Sequence, residues 1–166
     1  MSIYDELAAA NQGYAAAFTK GELKMPPARK LAIVACMDAR LDPAKVFGLE
    51  EGDAHVIRNA GGRVTEDAIR SLVISQQLLG TEAIAIVHHT DCGMVTFTND
   101  ALRKKVEDTF GVDVSETDFL PFTNLEQSVV DDVSRVRNSP IIPKEIPVIG
   151  YVYDVKTGQV HQVAAA

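Results

Sequence analysis

The sequence contains no tryptophan and only two cysteines among its 166 residues. Two thiols are too few for a disulfide-stapled secreted scaffold and favour a reducing compartment, where a cysteine is structural, catalytic or metal-bound. A disulfide between Cys36 and Cys92 is disfavoured for the same reason. The Cys-x-x-Cys motif of thiol redox proteins is also missing, which counts against that class.

Basic residues are fewer than acidic ones, and long apolar runs are absent. The chain has 16 Lys and Arg against 23 Asp and Glu, and no basic cluster offsets the net charge of −7. Nucleic-acid phosphates attract positively charged surfaces, so we expect no nucleic-acid partner for this acidic chain. No apolar run is long enough to cross a membrane, and the first residues do not resemble a secretory signal. We therefore expect a cytoplasmic protein with no membrane partner.

Apolar runs bounded by turn residues predict the strands. They occupy 31–36, 54–62 with a glycine turn at its end, 83–88, and a C-terminal pair within 146–163 that reverses at a Lys-Thr-Gly turn. Continuous apolar runs are typical of parallel strands buried on both faces. Helices are expected between the strands, with N-caps at Ser2, Asp42, Thr65, Asn99 and Thr123. This alternation predicts one α/β domain over 1–166, with an open, mostly parallel four-stranded sheet flanked by helices and a C-terminal antiparallel edge strand.

The candidate functional residues lie where two predicted strands end. Cys36 is the last residue of the strand at 31–36, and His89 and Cys92 follow the strand at 83–88. In open parallel sheets, ligands bind outside the carboxyl ends of the strands, at the point where the strand order reverses. If these two strands are neighbours there, the three side chains form a Cys2His zinc set with an open fourth position, as in catalytic zinc sites. The alternatives are a buried thiol without a metal and a chance His-x-x-Cys pattern.

Asp38 and Arg40 follow Cys36 within four residues and suit such a site. Two thiolates neutralise the charge of Zn²⁺, so they acidify a zinc-bound water less than three histidines would. The Asp38 carboxylate can accept a hydrogen bond from that water, or bind zinc directly as a fourth ligand and close the site. Arg40 can keep Asp38 ionised and draw it away from the metal. The alternative is a solvated ion pair in an ordinary turn.

Three motifs in order resemble those of the β-class carbonic anhydrases: CMDAR at 36–40, RNAGG at 58–62 and HTDCG at 89–93. The resemblance implies Zn²⁺ as the cofactor. It also implies that the zinc ligands are Cys36, His89 and Cys92. The catalytic dyad that it implies consists of Asp38 and Arg40.

The resemblance also implies an assembly. It predicts a homodimer or a dimer of dimers, in which a helical arm at 1–22 packs on the partner subunit and the active site lies near the interface. The helix predicted at 3–19 has only a weak apolar stripe, which agrees with packing on a partner and not in the core of its own subunit.

The chain departs from the family pattern at three places. Ala39 replaces the usual serine of the first motif, and His88 stands where a glycine commonly precedes the zinc-binding histidine. The absence of tryptophan removes one member of the bicarbonate-binding triad of the allosterically regulated enzymes. The compact branch that carries ACMDARLD and HHT-x-CGM also resembles carbonyl sulfide hydrolases and, more distantly, carbon disulfide hydrolases.

The function implied by the resemblance is the addition of zinc-bound hydroxide to a small linear heterocumulene. Reversible hydration of CO2 to bicarbonate is the first interpretation. Hydrolysis of carbonyl sulfide to CO2 and H2S is the second, because both substrates offer an electrophilic carbon to the same nucleophile. A non-catalytic zinc-binding protein of the same fold is the third, and the intact Asp38 and Arg40 count against it.

Gly61, Gly62 and His88 are candidates for the substrate pocket. Two glycines after a strand let backbone amides approach a small ligand closely, although they suit a tight turn equally well. His88 and His55 are candidate proton carriers. The alternative for His88 is a buried histidine bonded to a backbone carbonyl.

Overall fold

The computed structural model describes residues 1–166, which form a single five-stranded sheet with helices on both faces. The strands are β1 (Leu31–Cys36), β2 (Ala54–Asn59), β3 (Ala83–His89), β4 (Val148–Tyr153) and β5 (Val160–Ala165). Their order across the sheet is β2-β1-β3-β4-β5. The first four strands run parallel, and β5 pairs antiparallel with β4 at the sheet edge. The predicted fold class is therefore confirmed.

Five helices connect and flank the strands. They are α1 (Ile3–Ala16), α2 (Pro43–Phe47), α3 (Glu66–Leu79), α4 (Asn99–Phe110) and α5 (Leu125–Asn138). Short 3-10 turns occupy Ala60–Gly62 and Gly93–Val95. None of the helices combines the length and the apolar character that crossing a membrane requires.

Two of the expected N-caps are wrong by one residue. Thr98, not Asn99, accepts the hydrogen bond from the first turn of α4, because the Asn99 side chain bonds to the 118–119 segment instead. Asn124, not Thr123, caps α5 through the amide N–H of Gln127. The caps at Ser2, Asp42 and Thr65 are confirmed.

The core has two layers because the side chains of β1 alternate between the faces of the sheet. Ala32 and Val34 pack against α3 and α5, whereas Ile33 and Ala35 pack on the opposite side with Leu41. Helix α5 lies very close to β4, since a Cβ atom on Gly150 would come 2.4 Å from a methyl group of Val129. A side chain at position 150 would therefore force α5 away from the sheet.

The strand order reverses between β1 and β3. From β1 the chain goes to β2 on one side and then, after α3, to β3 on the other side. The carboxyl ends of these two neighbouring strands form the crevice in which ligands bind in open α/β sheets. The segments that follow them, at 37–42 and 90–98, line that crevice.

Helix α1 stands apart from both core layers. No residue of α1 is buried, and its large apolar side chains are more than half exposed: Ile3, Tyr4, Leu7 and Tyr14. Its contacts with the body of the protein are few, such as the hydrogen bond from the Tyr14 hydroxyl to Glu51. The α1 surface is therefore apolar but not covered by this chain.

Candidate metal centre

The crevice brings Cys36, His89 and Cys92 together. Their candidate ligand atoms all lie within 4.8 Å of one another, and all three side chains are buried. Cys36 and His89 end β1 and β3, and Cys92 follows a turn in which Asp91 adopts a left-handed backbone with φ of 54°. The neighbouring parallel strands thus account for the convergence of residues 53 positions apart in the sequence.

His89 has the orientation of a metal ligand. Its Nδ1 lies 2.8 Å from the carbonyl oxygen of Thr90, which can only accept, so Nδ1 carries the proton. The lone pair of Nε2 consequently faces the two thiols, and this buried nitrogen has no hydrogen-bond partner. An imidazole whose second nitrogen donates to a carbonyl is the usual arrangement around a bound metal.

The two thiols are close enough to influence each other's protonation. Cys36 and Cys92 form no disulfide, and the contact between their thiols lowers the pKa of Cys36 and raises the pKa of Cys92. Burial opposes the imidazolium form of His89, but the proximity of the Cys36 sulfur and the bond to the Thr90 carbonyl outweigh this and raise the pKa of His89. Because a divalent metal needs two thiolates and a neutral imidazole, binding must displace these protons, and metal affinity must rise with pH.

Asp38 faces this cluster and is held by Arg40. The guanidinium donates from Nε to Oδ1 at 3.0 Å and from Nη2 to Oδ2 at 2.8 Å, and the amide N–H of Arg40 donates to Oδ1 at 2.9 Å. These bonds hold the pKa of Asp38 far below its usual range. Oδ2 of Asp38 lies 3.7 Å from Nε2 of His89. Asp38 is therefore an ionised hydrogen-bond acceptor at the edge of the cluster.

Arg58 organises the loop that carries Cys36 and Asp38. From β2, its guanidinium donates to the carbonyl oxygens of Cys36, Asp38 and Leu41 at 2.7–3.0 Å. Three carbonyls of one loop are thus bound by a single planar donor group. The RNAGG motif contains Arg58, but only its glycines were predicted to be functional, and the pairing of β2 beside β1 shows the partners of Arg58.

A cavity of about 220 Å³ opens beside the cluster. Its lining includes Asp38 and the three residues of the cluster. The other lining residues are Met37, Ala60, Gly61, Gly93 and Met94. Gly61 has a left-handed φ of 80°, and a Cβ atom there would lie 2.9 Å from Met94. Gly62 lies behind the cavity, where a Cβ atom would come 2.7 Å from the backbone nitrogen of Cys36. The two glycines therefore have different roles: one lines the cavity, and the other lets the turn pack against β1.

The structure does not bring His88 or His55 into the cavity. His88 is 1% exposed and faces α5, with Nδ1 2.8 Å from Ser128 Oγ and Nε2 3.2 Å from both Asp132 Oδ2 and the Gly62 carbonyl. His55 lies near the start of β2, at the opposite end of the sheet, and contacts Ser75. His88 is therefore a buried histidine that contacts a backbone carbonyl, as the alternative interpretation predicted, and also a buried carboxylate.

Comparisons with known proteins agree with this architecture. Residues 31–160 match the family model described as carbonic anhydrase. The chain is 46% identical to β-carbonic anhydrase 1 of Mycobacterium tuberculosis over 165 residues, covering 98% of this chain and 99% of that protein. It is 32% identical to a carbon disulfide hydrolase of Acidithiobacillus thiooxidans over 178 residues, covering 95% and 89%.

A solved structure shows the same fold. The crystal structure of the carbonic anhydrase from Streptococcus mutans superposes with a TM-score of 0.95 at 49% identity, and the match covers 99% of both chains. Sequence and fold similarity therefore both extend over nearly the whole chain. This protein is an enzyme of the β-carbonic anhydrase family.

Proposed function

We propose that the chain catalyses the reversible hydration of CO2 to bicarbonate, with Zn²⁺ held by Cys36, His89 and Cys92. The observation that carries the proposal is the ionised Asp38 carboxylate, which Arg40 holds 3.7 Å from His89 Nε2 at the edge of a buried three-ligand cluster. A purely structural zinc site has no need of such a carboxylate. The β-carbonic anhydrase relatives support the choice of CO2.

The side chains fit zinc well. The cluster offers two thiols and one unpartnered imidazole nitrogen, a donor set that zinc prefers. Three protein ligands leave a fourth position, as in catalytic rather than structural sites. Zinc bound there supplies a Lewis acid that lowers the pKa of a water in the fourth position.

The residues of the chain perform the remaining tasks. Asp38 can only accept a hydrogen bond, so it takes the one from the attacking water and turns a lone pair of that water toward the substrate carbon. Arg40 keeps this carboxylate ionised and oriented. Met37 and Met94 give the cavity apolar walls, which suit an uncharged linear substrate. With His88 buried on the other side of β3, proton release is left to solvent and buffer at the cavity mouth.

Hydrolysis of a sulfur-containing heterocumulene is the second candidate. The observation in its favour is the pair of methionines in the cavity wall, because a polarisable thioether packs well against sulfur. The carbon disulfide hydrolase relatives point in the same direction. Carbonyl sulfide and water would give CO2 and H2S through the same ligands and the same Asp38.

Initial rates separate the two candidates. We expect the zinc-loaded protein, at one pH, to show a kcat/KM for CO2 about 100-fold or more above that for carbonyl sulfide or carbon disulfide, a ratio within the range that pocket contacts supply. The measurement is a stopped-flow assay with each substrate in turn. Efficient turnover of either sulfur compound together with feeble CO2 hydration would reverse the assignment.

We propose in addition that residues 1–22 form an arm of this domain that packs on a second copy of the chain, in a homodimer or a dimer of dimers. The support is the exposed apolar surface of α1. An uncovered groove of about 340 Å³ on the sheet, lined by residues such as Leu31, Ile149 and Tyr151, offers a matching apolar surface. Together these surfaces give a self-complementary interface of the kind that closes a twofold dimer.

A further inference from the structure

Arg40 is bound on two sides. Beside its bonds to Asp38, its Nη1 donates to the Asp91 carboxylate at 2.7 Å, and its Nη2 donates to the Asp91 carbonyl oxygen at 2.9 Å. One guanidinium thus joins two acidic residues from two different loops. The first loop follows Cys36 at the end of β1, and the second joins His89 at the end of β3 to Cys92. The Arg40–Asp91 contact is therefore a cross-link between the two halves of the ligand cluster.

The backbone of Asp91 is adapted to this contact. Its φ of 54° lies in the left-handed region, which Asp and Asn tolerate better than other residues with a side chain. In this conformation both the carbonyl oxygen and the carboxylate of Asp91 point at the same guanidinium. A glycine could also adopt this left-handed conformation, so the turn by itself does not require the Asp91 carboxylate.

We propose that Asp91 is a positioning residue that anchors Arg40 and thereby keeps Asp38 out of the fourth metal position; this inference rests on the proposed function. The Arg40 side chain is 46% exposed and, without Asp91, is free to leave its place. Its bonds to Asp38 would then be made less often, because a mobile arginine must lose rotamer freedom to form them. An unheld Asp38 is close enough to the cluster to occupy the open position itself.

The test measures the open position directly. Wild type and Asp91→Asn are loaded with one Co²⁺ per chain and titrated with azide at a fixed pH, with binding followed by visible absorption. Asparagine retains the left-handed turn and similar size but loses the charge. We expect azide to bind about 5-fold more weakly to Asp91→Asn, which is the range of a single ion pair in a network. Asp113→Asn, an exposed aspartate that bonds only within its own turn, is the control and should bind azide like wild type.

A double variant distinguishes positioning from a simple charge effect. In an Asp38→Ala background, Asp91→Asn should leave azide affinity unchanged, because Asp91 acts only through Arg40 and Asp38. Removal of a negative charge without positioning would instead strengthen azide binding in both backgrounds, and that result, or no change in either, would overturn the inference. The azide titration does not depend on CO2 turnover. Its failure is therefore distinguishable from failure of the proposed function, which would appear as a wild-type enzyme that does not hydrate CO2.

Discussion

Replacing Cys36 with serine is expected to abolish metal binding and CO2 hydration together. The Cys36 side chain is 3% exposed and is one of the three candidate ligand side chains in the cluster. Serine is similar in size, but its hydroxyl is a hard, protonated and weak ligand for zinc. We expect zinc to bind at least about 100-fold more weakly, since changes outside the ligand set alone cost 10–100-fold. Metal content after dialysis and the CO2 hydration rate measure the two effects.

Ala39→Ser is the matched control for this variant. It introduces a hydroxyl into the same loop at an exposed position that is not a ligand. We expect it to retain one zinc per chain and most of the activity. Thermal unfolding of both variants separates loss of metal from loss of fold. A Cys36→Ser protein that holds one zinc and hydrates CO2 at the wild-type rate would contradict the assigned ligand set.

Replacing Asp38 with alanine is expected to have the opposite signature, with zinc retained and turnover lost. In the proposed mechanism the carboxylate orients the attacking water and is not one of the three candidate ligands, which it adjoins at 3.7 Å from His89 Nε2. General acid–base and orienting groups contribute roughly 100- to 10,000-fold, so we expect kcat to fall by about that factor. The measurements are zinc content and the stopped-flow CO2 rate on the same preparation.

Asp42→Ala provides the comparison for Asp38→Ala. Asp42 lies in the same loop and caps α2 through the amide of Ala44, so its loss should lower stability by about 1 kcal/mol. Because Asp42 does not face the cluster, we expect its CO2 rate to remain near wild type at a temperature where both variants are folded. Full activity in Asp38→Ala would refute the role of the carboxylate.

The fold could be predicted closely from the sequence because its strands are continuous apolar runs. The predicted bounds of β1 are those of the structure, and the predicted β3 is one residue too short, since His89 continues the strand. The error at the N-cap of α4 has a tertiary cause, because the Asn99 side chain bonds to a distant segment that no local pattern reveals.

The candidate site could be predicted as far as its residues lie within short motifs at strand ends. Cys36, His89 and Cys92 do converge, and Asp38 does face them. The contacts of Arg58 and Asp91 were not predictable, because they depend on which loops face each other across the crevice. The orientation of His88 away from the cluster could have been predicted, because consecutive residues of a strand point to opposite faces and His89 faces the cluster.

The central claim is that zinc held by Cys36, His89 and Cys92 makes this chain a CO2-hydrating enzyme. The most direct test titrates metal-free protein with Zn²⁺ while bound zinc and the CO2 hydration rate are measured on the same samples. The account predicts no catalysis without metal, a linear rise in rate up to one zinc per chain, and no further rise beyond it. Hydration by the metal-free protein, or one bound zinc per chain without hydration, would contradict it.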